Sequence, residues 1–159
     1  MTTQNSDSIL ITYFSHSGNT EKIARRIKEI VGGELIRIEP VEEYPRSYRE
    51  VLKVSKEEIL NNFKPKLKKK MVDMEKYDTI FVGSPNWYGT IAPPVISFLS
   101  KYNFSKKKVV PFISHGGGGL SNCFSDFKKN VPNAILLEEM IFYGSNDKSV
   151  NKKILLKID

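Results

Sequence analysis

A parallel β-sheet covered by helices is the fold class that the sequence predicts, and two features of the chain predict it. Short apolar runs of strand length alternate with segments of helical period throughout, the pattern of an α/β protein whose sheet is flanked on both faces. No internal repeat, low-complexity tract or long linker interrupts that alternation, and 159 residues suit one domain. The expectation is therefore one domain over 1–159, a three-layer α/β/α sandwich, with the polar residues 1–7 disordered.

Each element has its own warrant. ILITYF at 9–14 is a continuous apolar run and reads as a buried strand. Ile23, Ala24, Ile27, Ile30 and Val31 recur at helical spacing over 19–31, and Gly32 and Gly33 end that helix. ELIRI at 34–38 alternates as a second strand. Tyr48, Val51, Leu52 and Ile59 mark an amphipathic helix over roughly 46–62, followed by the lysine-rich connector KPKLKKK at 64–70. TIFVG at 79–83 is the third strand, and PPVISFL at 93–99 opens a helix, because proline suits a first turn. VVPFIS at 109–114 is strand-like, although Pro111 costs an interior strand a ladder bond. A helix follows from Gly119 or Ser121 to about Asn130, AILLEE at 134–139 is the fifth strand, and VNKKILLKI at 150–158 reads as a short final helix.

Composition narrows the function. The single cysteine, Cys123, allows no internal disulfide and no cysteine-rich zinc site, which fits a reducing compartment. No apolar stretch reaches the ~20 residues of a membrane helix, and the polar start carries no apolar signal core, so a cytoplasmic protein is expected. The net charge of +7 comes largely from short lysine clusters. These read as solvated connectors, with an anionic partner as the functional alternative. Aromatic residues do not interleave with them as base stacking requires, which argues against nucleic acid.

Open parallel sheets bind ligands outside the carboxyl ends of their strands, so the loops after the first, third and fourth strands carry the most information. The first, SHSGNT, offers hydroxyls at Ser15, Ser17 and Thr20, with Gly18 permitting close backbone approach. Asn19 and Thr20 are placed to cap the next helix, whose first amides attract anions. It lacks the Gly-Lys-Ser/Thr ending of a Walker loop and the GxGxxG of dinucleotide folds. The second, GSPNWYGT, holds Trp87 and Tyr88, large aromatics suited to stacking on a flat ligand or, for Trp87, to anchoring the core. The third, SHGGGGL, strings four glycines together, as backbone amides wrapping a ligand edge would need, or as a mobile hinge would. A flat, phosphorylated ring satisfies all three loops, a description that fits flavin mononucleotide (FMN).

The order YFSHSGNTEKIA, GSPNWYGTIAPPVISFL, SHGGGGL resembles the flavodoxin family, in particular short flavodoxin-like proteins with a glycine run in the third loop. The resemblance implies a five-stranded parallel sheet in the order 2-1-3-4-5, which is the flavodoxin order, with non-covalent FMN at its switch point. It implies that Ser15, Ser17, Gly18, Asn19 and Thr20 hold the phosphate. Pro85, Asn86, Trp87, Tyr88 and Gly89 then flank the ring, and Ser114, His115, Gly116, Gly117 and Gly118 border its pyrimidine edge. His16 and Ser84 complete the candidate set, and His16 and His115 are placed to hydrogen-bond flavin or phosphate. The implied function is an electron carrier or a small FMN-dependent reductase of NAD(P)H:quinone type, serving redox partner proteins or a quinone-like acceptor. Two departures stand out. Electron-shuttling flavodoxins are strongly acidic, whereas this chain is basic, and their third loop tends to supply a stacking tyrosine, whereas this one holds His115 and glycines.

Other chemistries fit less well. The two histidines have no carboxylate or cysteine set to complete a metal site. Cys123 lies near a helix start, where a thiolate can be favoured, but no phosphatase-type loop follows it and it reads as a packed helix residue. The pairs Glu42-Glu43, Glu57-Glu58 and Glu138-Glu139 read as solvated faces. A phospho-receiver would need acidic residues where Ser15-His16 and Ser84-Pro85 stand. The alternative that remains is a cofactor-free module of the same fold that holds an anionic partner.

Overall fold

The computed structural model describes residues 8–69 and 72–145. Its core is a sheet built from β1 (Ile9–Tyr13), β2 (Glu34–Arg37), β3 (Thr79–Trp87), β5 (Lys108–His115) and β6 (Ile135–Leu136), in the order β2-β1-β3-β5-β6. Neighbours along that path pair in parallel. The five expected strands thus stand in the expected order. Two short strands add to them: β4 (Thr90–Ile91) pairs antiparallel with the end of β3, and β7 (Met140–Tyr143) pairs parallel with β5.

Alternation along the strands sorts the core into two faces, as a period of two requires. Leu10, Ile80, Val82, Val109 and Ile113 face α3 (Pro93–Lys101) and α4 (Cys123–Asn130), packing with Val95, Phe98 and Phe127. Ile9, Ile11, Phe81, Val110 and Phe112 face α1 (Asn19–Val31), packing with Ile23, Ala24 and Ile27. The helical stripe read from the sequence is therefore the buried face of α1. The next helix, α2 (Tyr48–Leu60), buries only Val51 and Ser55 fully. Tyr48, expected on its apolar face, is largely exposed at the helix start.

Three expectations need correction. First, β3 continues past Gly83 to Trp87, so most of the second loop is strand. Trp87 pairs with Thr90 across a tight turn in which Tyr88 and Gly89 both take positive φ, 54° and 80°, the geometry of a type I′ hairpin. Second, the fifth strand is split. Leu136 pairs with Val109 and Met140 with Phe112, so four steps on one side oppose three on the other, a bulge in the ladder. Pro111 explains its place. Val109 and His115 accept bonds from Leu137 and Gly144 on that side. With the period of two, the missing Pro111 N–H faces the same side, at the break, so an interior proline costs no ladder bond there. Third, α4 begins at Cys123, two residues beyond Ser121. The expected disorder of 1–7 and the expected helix at 150–158 lie outside the described residues.

The lysine connector is partly a strap. Val41 donates to the Lys66 carbonyl and Lys68 donates to the Glu39 carbonyl, while Pro40 and Leu67 form an antiparallel bridge. No helix among the described residues is long and apolar enough to cross a membrane.

Candidate functional site

Parallel strands bring the ends of β1, β3, β5 and β7 to one edge of the sheet, and with them the three candidate loops. At the first loop, Gly18 is the N-cap of α1, with φ of 99°. Asn19 and Thr20 are thus the first two helical residues rather than its caps, and no side chain caps the helix start. A helix whose first turn keeps its amide donors in this way is suited to an anion. Ser15 is buried and its hydroxyl accepts a bond from the Gly18 amide at 3.2 Å. His16 and Ser17 are exposed. Thr20 is buried and shares a hydrogen bond of 2.8 Å with Ser114, joining the first loop to the third across 94 residues of sequence.

The second and third loops are tied together by Asn86. Its amide nitrogen donates to the Gly119 carbonyl at 2.8 Å and to the Ser121 hydroxyl at 3.2 Å, while its oxygen accepts from the Gly89 amide. Ser84 serves the fold instead: its fully buried hydroxyl accepts from the Ala92 amide, just before α3, and donates to the Pro85 carbonyl. Within the third loop the Gly117 amide donates to His115 Nδ1 at 3.0 Å. A Cβ added at Gly116 or Gly117 would meet nothing within 4 Å, so the run borders open space, whereas one at Gly118 would press on Asn86 at 3.3 Å.

The aromatic residues divide. Trp87 packs edge-on against Phe14 at 5.4 Å and Tyr44 at 5.0 Å, with His16 at 6.3 Å. It is held in an aromatic box, as the anchoring reading expects. Tyr88 is about half exposed and its hydroxyl donates to the Leu52 carbonyl, so it leans over α2. Sequence reasoning missed Tyr143. It is paired in register with His115 at the end of β7 and meets its ring edge-on at 5.5 Å. Its signal was the apolar run MIFY directly after the Glu138-Glu139 pair. An aromatic ring therefore does stand beside the glycine loop, contributed by the next strand. Arg37 was also missed. Its guanidinium donates to the Ser15 carbonyl at 2.8 Å and pairs with Glu21 at 3.0 Å, bracing the first loop from behind.

Cys123 is fully buried, and burial, with a smaller push from Asp126, raises its thiol to about 12. The helix start does not favour a thiolate there. Among the described residues no group of three or more His, Cys, Asp or Glu side chains could hold a metal ion.

A family model described as Flavodoxin matches residues 8–157. The chain belongs to the flavodoxin family. No curated relative matches it in sequence. Among solved structures, a candidate flavoprotein from Bacteroides uniformis is 25% identical with a TM-score of 0.86, the match covering 95% of this chain and 99% of that one. A flavoprotein from Lactobacillus acidophilus, crystallised in complex with FMN, is also 25% identical with a TM-score of 0.76, covering 92% and 97%. Megasphaera elsdenii flavodoxin shares the fold at 21% identity and a TM-score of 0.63, covering 92% and 94%. The three loops of this chain stand at the carboxyl edge of its strands, the edge at which open α/β sheets bind ligands.

Proposed function

We propose that this flavodoxin is an FMN-binding redox protein that acts as an electron carrier or as a small FMN-dependent reductase. The observation that carries the reading is the uncapped start of α1, set beside the Ser17 hydroxyl and locked to the glycine-rich loop by the Thr20–Ser114 bond. The donor set fits the group: neutral hydroxyls and amides at a helix start match a phosphate without a lysine or arginine on the loop. Support from outside the chain is the flavoprotein of L. acidophilus, which holds FMN on the same fold.

Bound FMN would supply one- and two-electron transfer. The chain's own groups do the rest. Ser17 and the amides of Asn19 and Thr20 hold the phosphate. Asn86 fixes the hairpin turn against the glycine loop, which sets the width of the ring's slot. The amides of Gly116 to Gly118 line one border and the His115–Tyr143 pair stands next to it, so the stacking tyrosine absent from the third loop has a substitute one strand away. Trp87 packs edge-on against Phe14 and Tyr44 beside the hairpin.

Titration of the purified protein with FMN, followed by visible absorption and quenching of flavin fluorescence, tests this directly. Ser17→Asp is the decisive variant, because Ser17 is exposed and the change leaves the core alone. It is expected to weaken FMN binding at least tenfold, through repulsion of the phosphate and a lost charge-assisted bond of about 1.5–3 kcal/mol. Riboflavin, which has no phosphate, should bind both forms equally. A protein that stays colourless with FMN overturns the reading in favour of the cofactor-free module. NAD(P)H consumption with a quinone acceptor then separates reductase from carrier.

A further inference from the structure

A cavity of about 390 Å³ opens on the far side of the first loop, toward β2. It borders Ser15 and His16 but none of residues 17–20, the hairpin or the glycine run, so it meets the proposed flavin site only at the Ser15–His16 segment. Three cations line it, Arg37, Arg46 and Lys68, together with Glu39 and Glu43 and the aromatic ring of Tyr44. The strap positions Lys68, through the backbone bond to Glu39 and a side-chain ion pair with the same residue at 3.3 Å. Arg37 is fixed by Ser15 and Glu21. Arg46 is exposed and has no ion pair among the described residues.

We propose that this cavity is a second ligand site and that it takes a nucleoside phosphate. The chemistry of the wall selects that class. An apolar ligand would cover the Arg46 guanidinium and the Lys68–Glu39 ion pair without offering either a polar partner, at a desolvation cost. Inorganic phosphate would meet the cations and leave most of the volume unfilled, since small-molecule pockets of about 300–1,000 Å³ enclose whole drug-sized ligands. A nucleic acid strand needs an open groove with successive stacking rings, and this is a single pocket. A nucleoside phosphate uses each part: phosphate oxygens on Arg46 and Lys68, sugar hydroxyls donating to Glu39 and Glu43, and the base against Tyr44. The proposal goes beyond the flavin reading, and its site shares only the Ser15–His16 segment with that one.

Calorimetric titration of the FMN-loaded protein with adenosine monophosphate, adenosine and inorganic phosphate tests it. Adenosine monophosphate is expected to bind without displacing FMN, and adenosine and phosphate to bind at least tenfold more weakly. Arg46→Ala and Lys68→Ala should each weaken nucleotide binding about tenfold, the loss of one charge-assisted bond, while FMN affinity stays unchanged. Ser17→Asp should do the reverse. If the protein takes up no FMN, the same titration is made on the protein as purified, so the two readings fail separately. No heat with the nucleotide, equal binding by both lysine and arginine variants and the parent, phosphate binding as tight as the nucleotide, or displacement of FMN would each overturn the second site.

Discussion

At the scale of single residues, burial decides the chemistry that Cys123 can do. A helix start lowers a thiol's pKa only when the thiol is solvated enough to ionise, and this one is sealed among Phe127, Val95 and their neighbours in the core. Its thiol should therefore react with a disulfide reagent at pH 8 only on unfolding, which a comparison of rates in buffer and in denaturant measures. The linkage to stability has a definite sign. In the unfolded chain the thiol ionises from its ordinary value of 9.0, and in the folded protein not until about 12. The contribution is thus complete below pH 9 and disappears as pH rises toward 12. Tyr13 and Tyr77, both raised mainly by burial, push the same way. Cys123→Ala isolates the thiol: the variant should lose less stability than the parent between those two pH values, measured as the shift in denaturation midpoint. An equal loss in both proteins would mean that the thiol ionises freely in the fold.

At the scale of elements, the hairpin at the end of β3 links strand geometry to the site. Gly89 holds φ at 80°, its amide binds Asn86, and its carbonyl receives the Asn122 amide. Gly89→Ala puts a Cβ 3.4 Å from that of Ser121 and forces an L-residue into left-handed backbone, at a cost of about 1–2 kcal/mol. The urea midpoint should fall with an unchanged slope, and FMN affinity should fall with it, because the turn and the glycine loop share these bonds. Unchanged affinity in a destabilised variant would show that the two loops act independently. The hairpin also shows where sequence reading stopped. The strands at 9–14 and 79–83 and the helix at 19–31 were legible because their apolar periods match their elements. Ser84 to Trp87 carry no such period; they become strand because β5 and the short β4 offer partners, a tertiary cause. The three loops were legible as a group, since strand order alone brings them to one edge. The Asn86 tie, the Thr20–Ser114 bond and the Tyr143 ring were not, because each joins residues that only folding brings together.

At the scale of the whole molecule, the chain carries a net charge of +7, and part of it is placed away from the three loops. Lys101 ends α3, Lys106 to Lys108 lead into β5, and Lys128 and Lys129 close α4. All of these lie at the amino edge of the sheet, opposite the loops. Positive charge at helix ends of this polarity favours the fold through the helix dipole, and this part of the charge stands at the edge opposite a partner docked at the loops. It can act on such a partner only as a field, orienting the molecule and raising the encounter rate with an acidic protein. The prediction is a rate that depends on salt. Electron transfer to an acidic acceptor protein, followed by stopped flow, should slow steeply between about 10 mM and 1 M salt, as the screening length falls from about 30 Å to 3 Å. A basic acceptor should show the opposite trend. Reversing two exposed charges at the far edge, with Lys106→Glu and Lys128→Glu, should lower the rate to the acidic acceptor at low salt and leave the high-salt rate unchanged, since no contact at the loops is altered. A loss that persists at high salt would mean that the amino edge itself is the docking face, and the flavin would then have to exchange electrons through the sheet rather than across its loop edge.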